Sequence, residues 1–147
     1  MTDDETFLAK FEAQAFPHDQ WHHREHIKMA YLYLRHHPFD VALAKVRVGI
    51  QALNASQKVP ESPTRGYHET MTQAWLQLVY VTLCEYGPAE SADAFYEQHA
   101  QLSQHKVLRL FYSRERLVSS KAKVEFVEPD LAPLPRARSS TRDAIAP

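Results

Sequence analysis

Cysteine is almost absent from this chain of 147 residues, in which Cys84 is the only one. A single thiol excludes an internal disulfide framework and a zinc site made of several thiolates. Cysteine usage of this kind is typical of a reducing compartment, and residues 1–5 are acidic rather than basic and apolar as in a signal peptide. We therefore predict a cytoplasmic protein.

The chain also lacks an excess of charge of one sign and any long apolar run. Its 17 lysines and arginines nearly balance 18 acidic residues, which gives a formal charge of −1. No basic field therefore favours nucleic acid or an anionic membrane as a partner. The most apolar stretch, residues 74–84, is interrupted by Gln77 and Thr82 and is shorter than the ~20 residues of a membrane span. We expect a neutral or small-molecule partner, and the sequence leaves a homo-oligomer open.

Glycine is scarce as well, with three residues in the chain, whereas long stretches are rich in Ala, Leu, Glu, Gln and Lys. A β-rich domain would need more turn glycines and alternating apolar runs, so this composition predicts an all-α fold. We expect a single-domain bundle of about five main helices over residues 1–127. The main helices are predicted near residues 4–15, 19–35, 39–55, 67–86 and 89–99, with short helices at 107–112 and 113–122.

Two segments outside these helices have distinctive compositions. Residues 56–66 contain two prolines and a glycine and form a loop that is long for a helical bundle, which makes them a candidate lid. Residues 128–147 begin with three closely spaced prolines and continue with small and charged residues. We expect an extended Pro-rich tail there, with the last dozen residues disordered.

The second predicted helix, for which Asp19 is the expected N-cap, begins with a histidine-rich segment. At 100° per residue His23 falls on the apolar arc that includes Ile27, and His26 falls at its edge. Because these imidazoles are spaced i, i+3, they lie on one side of the helix and satisfy two positions of a metal. The alternative is that His23 is a core histidine bonded to a backbone carbonyl or a tyrosine hydroxyl.

The fourth predicted helix begins with a second polar cluster. His68 lies above Trp75 on the apolar arc and is expected to face the core. Glu69 projects to one side at the helix N-terminus, where unpaired amides and the helix dipole favour a carboxylate. Glu69 is therefore either a capping residue or a ligand or general base beside His68.

Inward histidines near the starts of two helices would converge at one end of a bundle, as in helical metal proteins. We therefore predict a divalent-metal site with His23, His26 and His68 as ligands. Neutral imidazole with one carboxylate suits zinc, iron, manganese or nickel. The resulting hypothesis is metal-dependent chemistry on a small molecule, with Glu69 as the base and Tyr112 as an orienting donor.

A third polar segment, residues 112–117, follows the helices. Tyr112 would donate to a bound anion or a metal-bound oxygen, and Arg114 or Arg116 would hold a carboxylate or phosphate through two hydrogen bonds. The simpler interpretation is that Ser113 caps a helix and that the arginines are solvated.

Four segments together resemble a group of short, functionally uncharacterised bacterial all-helical proteins. They are His23-x-x-His26, the YHET run at 67–70, the YSRERL run at 112–117 and the EPDL run at 128–131. The resemblance covers roughly residues 18–135. It implies that the segments belong to one domain, and it implies no activity, ligand or cofactor.

Two functions of other classes fit the same residues. The first is a non-catalytic domain that binds a small molecule or a partner, with Trp75, Tyr31 and Phe111 lining an apolar pocket and the histidines supplying hydrogen bonds. The second is an interaction module whose Pro-rich segment 129–135 docks on a partner or on a neighbouring copy.

Overall fold

The computed structural model describes residues 1–137. The structure is 64% helical and contains no strand in its described part, which confirms the all-α prediction. Five of its seven α-helices have seven residues or more, in agreement with the expected number. The helices are α1 (Asp3–Glu12), α2 (His23–His36), α3 (Phe39–Ser56), α4 (Glu69–Tyr86), α5 (Ala92–Gln98), α6 (Arg114–Leu117) and α7 (Ser120–Val124).

Hydroxyl side chains set the start of several helices. Thr2, Ser91, Ser113 and Ser119 each accept the backbone N–H three residues further on, which satisfies an amide that the first turn leaves unpaired. The interpretation of Ser113 as a helix cap is therefore confirmed. The single helix predicted over residues 113–122 is instead two short helices, because Ser119 caps a second one.

Helix α2 begins later than predicted, and Asp19 is not its N-cap. Asp19 lies in a 3-10 turn, His18–Gln20, which ends before the helix with the Trp21 N–H donating to the His18 carbonyl. The Glu25 carboxylate accepts the backbone N–H of His22 at 2.8 Å, so the helix is capped from its own first turn. The imidazole of His22 donates to the Asp19 carbonyl at 2.7 Å.

Helix α2 is the central helix of the bundle. It packs against α3, α4 and α5, and it buries every residue from Met29 to Leu34. A helix that is apolar on all sides is expected where neighbours cover its whole circumference. Tyr31 stacks on Phe95 of α5 with ring centroids 4.1 Å apart, and its hydroxyl donates to the Ala89 carbonyl.

Helix α1 crosses α3 at a glycine. A Cβ atom at Gly49 would lie 2.4 Å from the ring of Phe11, which is fully buried. The Phe11 ring also stacks on Trp21 with centroids 4.9 Å apart, so it has no room to move away. Glycine at position 49 therefore allows α1 to close the bundle over the start of α2.

The C-terminal segment, defined as residues 125–137, contains no helix and packs on its own chain. Tyr112 donates to the Val127 carbonyl at 2.7 Å, and Gln77 of α4 donates to the Pro135 carbonyl at 2.9 Å. The Pro-rich part of the segment thus covers α4. The expected disorder of the chain end concerns mainly residues 138–147, which lie outside the described residues.

None of the helices within residues 1–137 combines the length and the apolar character needed to cross a bilayer.

Candidate functional site

His23 is the first residue of α2, and it is partly buried as expected. Its Nε2 donates to the Leu102 carbonyl at 2.7 Å, and the ring lies against Trp75 and His105, with centroids 4.6 and 4.7 Å away. Burial lowers the pKa of His23, and the neighbouring His105 lowers it further, against the opposite effect of the Leu102 carbonyl. The ring is therefore held mainly as neutral imidazole.

His26 lies one turn later on α2 and faces the aromatic residues beneath α1. The indole Nε1 of Trp21 donates to its Nε2 at 3.0 Å, so this nitrogen carries no proton. Burial, together with the charge of His23, lowers the pKa of His26 to about 4. Its Nε2 lone pair is already used, which leaves that atom unavailable to a metal.

His68 is the N-cap of α4 rather than a residue inside the helix. Its Nδ1 accepts the Met71 N–H at 3.0 Å, and its Nε2 donates to the Leu117 carbonyl at 2.7 Å. These two bonds require the neutral Nε2–H tautomer and use both ring nitrogens. Burial lowers the pKa of His68, and the cation of Lys123 also lowers it.

The structure does not bring the three predicted metal ligands together. Within residues 1–137, no group of three or more His, Cys, Asp or Glu side chains is arranged to hold a metal ion. His23, His26 and His68 each bond to a separate partner, because their helices present them to different neighbours. The divalent-metal site therefore gains no support from these side chains and stays a prediction.

Glu69 does not project to the side of α4 but is buried in an ion pair with Arg47 of α3. Arg47 binds it through two hydrogen bonds, Nε to Oε1 at 2.9 Å and Nη2 to Oε2 at 2.6 Å. Tyr67 donates to Oε1 at 2.7 Å, and Gln73 donates to Oε2 at 2.6 Å. Both carboxylate oxygens thus accept two hydrogen bonds each.

This network determines the protonation of Glu69. Burial alone would raise the pKa of the carboxyl group, but the hydrogen bonds from Arg47, Gln73 and Tyr67 outweigh it and lower the pKa. The group is an ionised carboxylate at neutral pH with its lone pairs occupied. The role of general base that the sequence suggested for Glu69 would require one of these bonds to open.

Arg47 is the residue of this site that the sequence analysis missed. On α3 it lies four residues after Leu43 and three before Ile50, which places it at the edge of the buried apolar face. A cation at that edge is the signal that the sequence offers. Its partner could not be identified in the same way, because Glu69 is 22 residues away across a loop.

Tyr112 is fully buried and binds the C-terminal segment. Its hydroxyl donates to the Val127 carbonyl, and burial raises its pKa to about 12. Arg116 donates from Nε to the Glu128 carbonyl, and Asp130 accepts the N–H and hydroxyl of Ser113. The segment predicted to supply an orienting donor therefore anchors the chain that covers α4.

A cleft of about 800 Å³, called the larger cleft below, lies between α4 and the C-terminal segment. Its apolar walls are Phe39, Tyr80, Phe126, Leu131, Leu134 and the prolines at 129, 133 and 135. Phe39 and Tyr80 meet edge to face with ring centroids 5.5 Å apart. Polar and charged side chains line it as well: Gln73 and Gln77 along α4, with Glu128, Asp130 and Arg136 of the C-terminal segment.

The smaller cleft, of about 530 Å³, adjoins the larger one, because Gln73 and Phe126 line both. The Arg47–Glu69 pair and Tyr67 form part of its wall. Lys123 Nζ donates to the Tyr67 carbonyl at 2.8 Å and to Glu61 at 3.0 Å. The smaller cleft therefore has ion pairs in its wall, whereas the larger one combines apolar residues with exposed charged side chains.

The loop that the sequence suggested as a lid lies at the smaller cleft. Its residue Glu61 lines the cleft, accepts the Tyr67 N–H at 2.9 Å and is bound by Lys123. Gly66 has φ +95°, and a Cβ atom there would lie 2.2 Å from the Glu61 carboxylate. The loop is thus seated on the bundle by Glu61, at a turn that requires glycine.

The residues predicted to line an apolar pocket do not line either cleft. Tyr31 is fully buried against Phe95, and Trp75 packs against His23. Phe111 supports the C-terminal segment, since its carbonyl accepts the Leu131 N–H at 2.9 Å. The larger cleft is formed instead by residues of α3, α4 and the C-terminal segment.

Comparison of the chain with protein-family models, with curated proteins and with solved structures gives no match.

Proposed function

We propose that this protein binds a small organic molecule in the two adjoining clefts, with the apolar part of the ligand in the larger one. A volume of about 800 Å³ falls within the roughly 300–1,000 Å³ of ligand sites. The larger cleft also combines aromatic and aliphatic side chains with polar groups, as ligand sites do. The single observation that carries the proposal is this cleft, in which Phe39 and Tyr80 face an ordered Pro-rich segment.

The orientation of two glutamines supports a specific polar contact at the junction of the clefts. Gln73 donates its amide nitrogen to a carboxylate and Gln77 donates to a carbonyl, and both partners are pure acceptors. The nitrogens must therefore face these partners. The two amide oxygens remain to accept hydrogen bonds from a ligand.

The proposal is tested with N-phenyl-1-naphthylamine, a neutral apolar probe whose fluorescence rises in an apolar site. We expect saturable binding to the full chain, and we expect Phe39→Ala to weaken it about tenfold, since loss of one aromatic wall removes about 1.4 kcal/mol of contact. Chemical shifts of the side-chain amides of Gln73 and Gln77 would report the position of the probe.

Tyr96→Ala is the matched control, because Tyr96 is an aromatic residue of intermediate exposure that lines neither cleft. It should leave the affinity for the probe within twofold of the native value. The proposal is wrong if Phe39→Ala, shown by circular dichroism to be folded, binds the probe as tightly as the native chain.

The divalent-metal hypothesis has its own test. If His23, His26 and His68 bind a metal, protein purified without a histidine tag should contain close to one equivalent of zinc, iron, manganese or nickel by elemental analysis. His68→Ala should remove it, whereas His36→Ala, a change on the exposed end of α2, should not. A metal-free protein that cannot be reconstituted with any of the four ions would refute the hypothesis.

A further inference from the structure

We infer that the ligand of the clefts is an organic cation, an amine with an apolar body. The inference rests on the proposed function and adds the chemical class of the ligand. It is carried by the charges that line the clefts, by the unused hydrogen-bond acceptors at their junction and by the aromatic wall of the larger cleft.

The charges of the cleft walls leave an excess of negative charge. Among the described residues, three basic and five acidic side chains line the two clefts: Arg47, Lys123 and Arg136 against Glu61, Glu69, Glu125, Glu128 and Asp130. The excess is two negative charges. It is still one negative charge when Arg116, which binds the Glu128 carbonyl from outside the lining, is included.

The two cations of the smaller cleft are already neutralised by the protein. Arg47 is engaged by Glu69 through two hydrogen bonds, and Lys123 is bound to Glu61 and to a backbone carbonyl. An anionic ligand in the smaller cleft would therefore have to break an existing ion pair before it could be held there. A cationic ligand requires no such rearrangement.

Apart from Arg136 and Gln51, the polar side chains that remain offer acceptors, which a protonated amine can satisfy. The amide nitrogens of Gln73 and Gln77 are bound to the protein, which leaves their oxygens as the acceptors for a ligand. Glu128 and Glu125 lie along the same walls with exposed side chains. An ammonium group has three donors and no acceptor, which matches this set.

The aromatic residues of the larger cleft favour the same class of ligand. Phe39, Tyr80 and Phe126 all contribute to its wall. A cation near such rings is attracted by their quadrupoles, and its apolar body packs on their faces. Together with the carboxylates, they make a site in which the charged end and the apolar end of one molecule both find partners.

Three probes of nearly equal size and different charge test the inference: 2-phenylethylammonium, 2-phenylethanol and 3-phenylpropanoate. Each is titrated against the full chain at pH 7 in competition with N-phenyl-1-naphthylamine. We expect the cation to bind at least tenfold more tightly than the anion, with the neutral alcohol between them. The preference for the cation should decrease as salt is added.

A surface variant separates charge from shape. Glu128→Gln keeps the size of the side chain and should weaken binding of the cation about threefold while leaving binding of the alcohol unchanged. Glu90→Gln, outside the clefts, should alter neither affinity.

If the anion binds as tightly as the cation, or if no probe displaces the naphthylamine while its binding still depends on Phe39, the ligand class is wrong and the proposed function stands. If binding of the naphthylamine does not depend on Phe39, the proposed function itself fails.

Discussion

Replacing Arg47 by methionine should lower the free energy of unfolding by about 3 kcal/mol at pH 7. The change removes two hydrogen bonds and, within residues 1–137, the only cation paired with Glu69, whose side chain is 9% exposed. The carboxylate would remain buried with only Tyr67 and Gln73 as donors. Urea unfolding followed by circular dichroism measures the loss.

Replacing the other member of the ion pair, Glu69, should lower the free energy of unfolding by less. Arg47 is 37% exposed, so Glu69→Gln leaves a cation that water can reach, and we expect a loss of about 1–2 kcal/mol. The double variant should be more stable than the sum of the two single losses predicts, because neither charge is then left without its partner.

Arg109→Met, a change at an exposed arginine, is the control and should alter stability by less than about 0.5 kcal/mol. A loss below about 1 kcal/mol for Arg47→Met would show that the pair is not a structural element of the clefts.

Acid should destabilise the protein well before its carboxylates titrate. The pKa of His26 is about 4 in the folded chain and about 6.5 when unfolded, so below pH 6.5 the unfolded chain takes up a proton that the folded chain does not. This contribution to stability is complete above pH 6.5 and is lost as the pH falls toward 4. By linkage, the free energy of unfolding lost between neutral pH and pH 4.5 is about 2.5 kcal/mol for His26 alone.

His23 and His68 act in the same direction, because their pKa values are also lowered in the folded chain. The free energy of unfolding, measured by urea titration between pH 7 and pH 4.5, should therefore fall steeply. His26→Gln, which keeps an acceptor for the Trp21 indole, should flatten the profile, whereas His36→Gln at an exposed position should not. A native profile that is flat over this range would contradict the assignment of His26 as a neutral, indole-bound residue.

Local sequence patterns were sufficient for the helices. The scarcity of glycine predicts the fold class, and the proline after His37 and the Gly87–Pro88 pair mark helix ends close to those of α2 and α4. Caps were predicted well where a serine precedes the helix, as at Ser113. The prediction was wrong at Asp19, because a carboxylate inside the next turn, that of Glu25, caps α2 instead.

The same local patterns could not supply the partners of the polar residues. The inward position of His23 follows from its helical face, but the Leu102 carbonyl that it binds is 79 residues away. A helical-wheel projection of α4 correctly placed His68 on the face directed toward the bundle. The projection assumed, however, that His68 is a residue within the helix. Its position as the N-cap turned a candidate ligand into a histidine whose two nitrogens are both occupied.

The sequence by itself determined that this chain is a helical bundle, where most helices lie and which of their faces are apolar, because these properties depend on residues within one or two turns of each other. Only the tertiary structure decided that Glu69 pairs with Arg47, that the three histidines are apart and that the C-terminal segment forms one wall of a cleft. Each of these depends on how helices distant in the chain pack together. The periodicity of apolar residues indicates which face of a helix is buried. It carries no information about which atoms of the rest of the protein contact that face.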